Sequence, residues 1–285
     1  MTRQVALIGK PLKRRHSQVM HDAAFDACGI DARYVLREVE SDEVAGVVAG
    51  ARGDGWLGLG VTAPYKQVVA GLVDEVEGDA QAIGAVNNVV RTDDGRLIGF
   101  NSDAPGFRAG VELAMGRPLD GTNAVVAGAG GAAHAVVFAL LGGGVKRVMV
   151  GARSVYAARA LVDRFGRAGT ADRLVAGLDS DAFHDALGTA DLAINATTVG
   201  MIAPGMTIDV DALPAHATVF DCVYVPPETP LLAAARARGL NAANGSEMLI
   251  QQAAIAFERW TGVGGMADVM RAAVAPLLTD PTVTA

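Results

Sequence analysis

Gly128, Gly130, Gly131 and Ala133 stand at the spacing G-x-G-x-x-A, after the apolar pair Val125 and Val126 and at the head of the apolar run Ala132 to Leu141. Glycines here let the backbone turn tightly from strand to helix and come close to a pyrophosphate, whose charge is met by the free N–H groups at the helix start. Alanine is an accepted variant at the last position, where the helix packs on the strand. Glycine turns also close ordinary βα units, and this chain has 35 glycines, so the spacing alone is a weak signal. The flanking strand and helix supply the context that turns it into an expectation of dinucleotide binding. His16, His21, His134, His184 and His216 show no metal-ligand spacing and read as surface or packing residues. Cys28 and Cys222 form neither a disulfide framework nor a zinc pair, so no metal is expected.

These groups need a scaffold, and the bulk properties bound it. A chain of 285 residues, 51% hydrophobic, is long enough for two domains or one large one with a full core. A net charge of −7 gives no basic footprint for nucleic acid. No basic start followed by an apolar run marks a signal peptide, and no long apolar segment spans a bilayer, so a soluble cytoplasmic protein is expected, monomer or homodimer.

Strand and helix patterns alternate from the start. Val5 to Ile8 reads as a strand, followed by a basic loop, Lys10 to Ser17. Ser17 is expected to cap a helix that stops at Gly29. Ala32 to Leu36 is a strand, Ser41 an expected cap for a helix through Ala49, and Trp56 to Val61 a strand. Pro64 suits the first turn of a helix reaching about Val73. Val86 to Arg91 and Leu97 to Phe100 flank Thr92 to Gly95 as a β-hairpin. The helix from Asp103 to about Met115 is expected to link two α/β domains. In the second, Arg147 to Val150, Leu174 to Ala176, Leu192 to Ile194 and Val219 to Asp221 join the glycine-motif strand in a parallel sheet. The helices between and after them cover Ser154 to Phe165, Asp181 to Leu187 and Thr229 to Arg238. Two further helices, Ser246 to Trp260 and Met266 to Leu278, close the chain, and the tail after Thr279 is expected to fray.

Six short segments then line up with one family. GVTAPYK, Gly60 to Lys66, resembles the N-V-T-x-P-x-K signature of shikimate/quinate dehydrogenases. GAVNN, Gly84 to Asn88, resembles their G-A-V-N-T, and GFNSD, Gly99 to Asp103, their G-x-N-T-D. DLAINAT from Asp191, DCVYVPPETPL from Asp221 and NGSEMLIQQ from Asn244 are similar to three further family stretches. They fall in family order over nearly the whole chain, and their joint occurrence is specific where each alone is weak.

The resemblance implies an α/β protein with an N-terminal α/β substrate domain and a Rossmann-type dinucleotide-binding domain, the C-terminal helices returning to the first. Residues 1–104 with 240–285 are expected to form the former and 105–239 the latter. It implies reversible reduction of 3-dehydroshikimate to shikimate, or of a close cyclic hydroxy acid, with a nicotinamide cofactor. Lys66 would relay the proton at the reacting oxygen, with Asp103 orienting its ammonium. Thr62, Asn87 and Gln252 would hold the ring hydroxyls, with Ser17 and Tyr224 near the carboxylate. Gly128, Gly130, Gly131, Ala132, Asn195, Thr197, Gly245 and Met248 would hold the cofactor.

The sequence also departs from the pattern. Arg15 stands at the first serine of the carboxylate loop, and Gly60 at the asparagine of N-V-T. Arginine grips carboxylate as a fork and is bulkier than serine, while Gly60 makes room, so quinate or another polyol acid is the alternative substrate. After the second strand of the dinucleotide domain, Arg153 and Ser154 match the N-R-T-x-x-R of NADP-binding members, but Ala157 replaces the second arginine. No acidic residue stands there for a free 2′-hydroxyl, so NADP is expected, with NAD tolerated. A ligand sensor would have no reason to keep both Lys66 and Asp103. In a methylene-folate dehydrogenase, Tyr and Lys would be a helical turn apart, whereas Tyr65 and Lys66 are adjacent.

Overall fold

A computed structural model describes residues 2–166 and 171–279. The tail beyond Thr279 lies outside the described residues. The chain divides into two compact units. Of the described residues, the first comprises 2–102 and 250–277, the second 103–166, 171–249 and 278–279.

In the first unit, β1 (Arg3–Gly9), α1 (His16–Cys28), β2 (Ala32–Glu38), α2 (Val44–Gly50) and β3 (Trp56–Val61) alternate. They are followed by α3 (Lys66–Ala70), β4 (Glu75–Val76), α4 (Gly78–Ile83), β5 (Asn88–Arg91) and β6 (Leu97–Phe100). The sheet order is β2-β1-β3-β5-β6-β4. β1 pairs in parallel with β2 and β3, as expected of strands joined by helices. β5 and β6 form the expected antiparallel hairpin around Thr92 to Gly95. One face is filled by Val44, Val47, Val48, Leu59, Val69 and Leu97. Each such side chain contributes about 1.5–3 kcal/mol on leaving water.

The local structure differs from several expectations. Neither Ser17 nor Ser41 caps a helix: Arg15 and Glu43 take the cap positions of α1 and α2, and neither side chain bonds to its helix start. Pro64 follows a cis peptide bond and precedes the helix, which starts at Lys66 and ends at Ala70, short of Val73. The short elements β4 and α4 carried no periodic signal, being two and six residues long.

The second unit opens with α5 (Asp103–Met115) and continues with β7 (Asn123–Ala127), α6 (Gly131–Gly142), β8 (Arg147–Ala152), α7 (Val155–Arg164), β9 (Asp172–Gly177), α8 (Asp181–Leu187) and β10 (Leu192–Asn195). It closes with β11 (Thr218–Asp221), α9 (Pro230–Ala237) and β12 (Asn241–Asn244). The sheet order β12-β11-β10-β7-β8-β9 is parallel throughout. α5 begins at the boundary between the units and packs within the second: Phe107 meets Phe220 edge-on at 5.5 Å, and bare Gly110 lets the backbone of Met248 come close. β12, unforeseen because its residues are Asn-Ala-Ala-Asn, is an edge strand. Ser154, Ser180 and Thr229 cap α7, α8 and α9, each accepting a backbone N–H.

The chain ends with α10 (Ser246–Thr261), which starts in the second unit and continues in the first, and α11 (Ala267–Thr279). In the first unit, Trp260 of α10 lies over Gly58 of β3, where a Cβ would come within 2.7 Å of its indole nitrogen, and that nitrogen donates to the Val89 carbonyl at 2.9 Å. No helix among the described residues is long and apolar enough to cross a membrane.

Candidate functional site

In the first unit, chemistry-bearing residues gather where β3, β5 and β6 meet. The hairpin pairs Asn88 with Phe100, so Asn87 and Ser102, just beyond the strands, come side by side. Ser102 is fully buried, and Asn87 and Asn88 are nearly so. The Ser102 hydroxyl accepts from the Asn87 amide at 3.1 Å and from the Asn88 amide at 2.8 Å, and donates to Gln252 Oε1 at 3.3 Å. Asn87 Oδ1 accepts from the Ser102 N–H at 2.8 Å and from the Asn88 amide at 2.9 Å. Two donors on one carbonyl fix which way the Asn87 amide faces.

Backbone bonds tie the Lys66 turn to the same place. The Val61 N–H donates to the Asn87 carbonyl at 2.8 Å, and the Val86 N–H to the Lys66 carbonyl at 2.9 Å. Thr62 is held by its N–H on the Ile8 carbonyl and by its carbonyl on the Tyr65 N–H. Tyr65 is buried and donates from its hydroxyl to the Val39 carbonyl at 2.7 Å. Lys66 is half-buried at the start of α3. Thr62, Lys66, Asn87 and Gln252 are thus anchored around one end of the sheet. Arg15 and Ser17 flank the start of α1, Arg15 exposed and Ser17 half-buried.

Sequence reasoning missed Asn88 and Ser102. A signal existed: they stand where the family pattern has threonine in G-A-V-N-T and in G-x-N-T-D, and the two departures are bonded to each other.

In the second unit, Asp103 is the first residue of α5. The glycine loop lies where the strand order reverses, between β7 and β10, the place where open α/β sheets bind ligands. Gly128 has φ +119°, and a Cβ there would stand 3.0 Å from the Ala196 backbone, so this position needs glycine. A Cβ on Gly130 or Gly131 would meet nothing within 4 Å. No side chain caps α6 at Gly130, and Gly131 and Ala132 are exposed. An open cradle over an uncapped helix start fits a dinucleotide phosphate. Arg153 is exposed, and Ser154 Oγ accepts from the Ala157 N–H at 3.2 Å while keeping its own proton to donate.

Asn195 closes β10 at the same switch point. It is buried, and its Oδ1 accepts from the Thr197 N–H and hydroxyl and the Thr207 hydroxyl, at 3.1, 2.7 and 3.1 Å. Its amide donates to the Val199 carbonyl at 3.1 Å and to Asp221 Oδ1 at 2.9 Å. Asp221 also accepts from the Val223 N–H and the Thr229 hydroxyl. Burial pushes the Asp221 carboxyl above its ordinary range, against the pull of these donors. Thr197 is half-buried beside this hub, and Tyr224 is half-buried three residues past Asp221. Gly245 packs on Cys222, whose carbonyl oxygen a Cβ would approach to 2.3 Å, and Met248 follows in the first turn of α10.

The family model for the shikimate dehydrogenase substrate binding domain matches residues 7–89, and that for the shikimate 5′-dehydrogenase C-terminal domain matches 245–275. The NADP(+) shikimate dehydrogenase of Symbiobacterium thermophilum is 42% identical over 284 residues, 98% of this chain and 96% of that protein. Shikimate 5-dehydrogenase from Thermus thermophilus, solved with NADP(H) and shikimate, superposes with a TM-score of 0.85 at 34% identity, over 96% of this chain and 99% of that one. Quinate dehydrogenase from Corynebacterium glutamicum, solved with NAD, does so with a TM-score of 0.89 at 34% identity, over 96% and 99%.

Proposed function

This chain belongs to the shikimate/quinate dehydrogenase family, and from that membership we propose how its residues divide the work. It is an NADP-dependent oxidoreductase that reversibly reduces 3-dehydroshikimate to shikimate. NADP, when bound, supplies or accepts the hydride. Lys66 gives a proton to the carbonyl oxygen in reduction and takes it back from the hydroxyl in oxidation. Asp103 fixes the direction of the ammonium and stabilises its charged form. Thr62, Asn87 and Gln252 hold ring hydroxyls, while Arg15, Ser17 and Tyr224 address the carboxylate.

The observation that carries the substrate side is the Asn87, Asn88, Ser102 and Gln252 cluster tied by backbone bonds to the Lys66 turn. An amide whose orientation is set before substrate arrives does not lose affinity to reorganisation. On the cofactor side, Gly128, Gly130, Gly131 and Ala132 hold the pyrophosphate, and Arg153 with Ser154 the 2′-phosphate. Gly245 and Met248 flank the nicotinamide. Asn195 acts through Thr197 by fixing the loop that carries it. The protein acts in the cytoplasm as a monomer or homodimer and without nucleic acid, the last supported by its net charge of −7.

Following NADPH formation with shikimate, quinate and related acids, with Lys66→Ala as control, tests the reaction. Shikimate is the expected substrate. Arg15 favours a second reading, a pocket shifted toward quinate, and a kcat/KM higher for quinate would establish it. For the cofactor, kcat/KM with NADP should exceed that with NAD, by less than a two-arginine site would give because Ala157 adds no second guanidinium. A large preference for NAD would overturn the 2′-phosphate roles of Arg153 and Ser154.

A further inference from the structure

The room left by Gly60 is taken by a residue from another strand. A Cβ on Gly60 would stand 2.5 Å from the Tyr34 hydroxyl oxygen and 3.1 Å from Leu7 Cδ1. Tyr34 lies on β2, with β1 between it and β3, so its ring reaches across β1 to set the hydroxyl over Gly60. His21 stacks on that ring at 4.4 Å, and the Trp260 ring lies 6.0 Å away. The Tyr34 N–H donates to Asp22 Oδ1 at 2.8 Å, which anchors the start of β2 to α1. The residue is 3% exposed, so the phenol is a fixed group with an apolar body and a polar tip.

Where that tip points follows from the sheet register. Gly60 is paired directly with Asn88 across β3 and β5, and directly paired residues share a face. The Asn88 amide belongs to the buried cluster with Asn87, Ser102 and Gln252. Thr62 follows two residues after Gly60.

We propose that the Tyr34 hydroxyl is a substrate contact and a determinant of specificity, standing in for a side chain at position 60 beside the Asn88 amide and hydrogen-bonding a ring hydroxyl of the bound acid. This rests on the cyclic hydroxy acid reaction proposed above. Burial pushes the phenol pKa up, so the group is neutral and can both donate and accept. An asparagine at position 60 would present an amide on a short, movable stem. Here a hydroxyl is presented on a clamped ring. Shikimate and quinate differ in the hydroxyl on the carboxylate-bearing ring carbon, so a fixed hydroxyl in the pocket weighs the two differently.

The test is steady-state kinetics of the wild type and Tyr34→Phe with NADP and each acid, with thermal unfolding of the same preparations. Tyr34→Phe keeps the ring and removes one hydrogen-bonding group. It should change the shikimate-to-quinate ratio of kcat/KM by about five- to tenfold, the worth of one neutral hydrogen bond. A purely structural tyrosine would alter stability and leave that ratio alone, so an unchanged ratio overturns the proposal. Gly60→Ala in both backgrounds is the second measurement. It should lower Tm in the wild type and much less in Tyr34→Phe, because the hydroxyl is the atom in the way. Equal losses would mean that the hydroxyl is not seated on Gly60, and overturn the proposal too. A wild type inactive on both acids overturns the reaction itself and this inference with it, whereas an active wild type with an unchanged ratio overturns this inference alone.

Discussion

Lys66→Ala is expected to lower kcat for shikimate oxidation by about a thousandfold, within the range for removing a positioned proton-transfer group. The hydroxyl must lose its proton as hydride leaves the same carbon, and without the amine that proton passes to water at a far higher barrier. Thr62, Asn87 and Gln252 remain in place, so KM should move much less than kcat, the pattern of an interaction made in the transition state. The turn is held by backbone bonds and by the buried Tyr65, so the variant should fold with a nearly unchanged Tm. Stopped-flow or steady-state absorbance of NADPH with a parallel melt checks both. A kcat within about tenfold of wild type would remove Lys66 from the chemistry.

Stability should fall steeply in mild acid, and His21 should carry much of the loss. Its ring is 2% exposed, stacked on Tyr34 and flanked by Trp260 and Phe257, and its Nδ1 has no hydrogen-bond partner among the described residues. Burial therefore pushes its pKa from 6.5 down to about 3. A histidine depressed in the folded state is neutral there while the unfolded chain takes a proton below pH 6.5. Stability is complete above that pH and is lost as pH falls toward 3, where the gap, at about 1.36 kcal/mol per pH unit, amounts to roughly 5 kcal/mol. Burial lowers His16 as well, with Arg14 adding to it, so the two residues act in the same direction. His21→Phe keeps an aromatic ring in the stack, leaves His16 in place and removes one titration. Between pH 4 and about 5.5 its unfolding free energy should lose about 1.4 kcal/mol per pH unit less than that of the wild type. Parallel slopes in urea titrations would show that His21 is protonated in the folded protein.

Legibility followed the distance over which a signal acts. The strand, turn and helix around Gly128 were readable because the constraint is local: one positive φ, a close approach and an apolar helix within fourteen residues. The caps of α7, α8 and α9 belong to the same class, since a side-chain oxygen reaches an N–H three residues on. Ser17 and Ser41 show the limit, because a residue type suited to capping does not cap when the helix starts elsewhere: Ser17 lies inside α1 and Ser41 ahead of the Glu43 cap of α2. The Ser102 cluster could not be read from local pattern, since its bonds join residues 15 and 150 positions apart. Asn195 was recognisable as a motif residue, but its hub depends on Thr207, Asp221 and the loop between them.

By itself the amino-acid order determined the alternation of strand and helix, the glycine turn and the family, because these rest on short-range sterics, hydrophobic period and joint motif spacing. The seating of Tyr34 over Gly60, the orientation of the Asn87 amide and the engagement of Asn195 were decided only by tertiary structure. Each is a contact between strands or loops distant in the chain, and a residue's type states which hydrogen bonds it can make but not which neighbour packing will bring within reach.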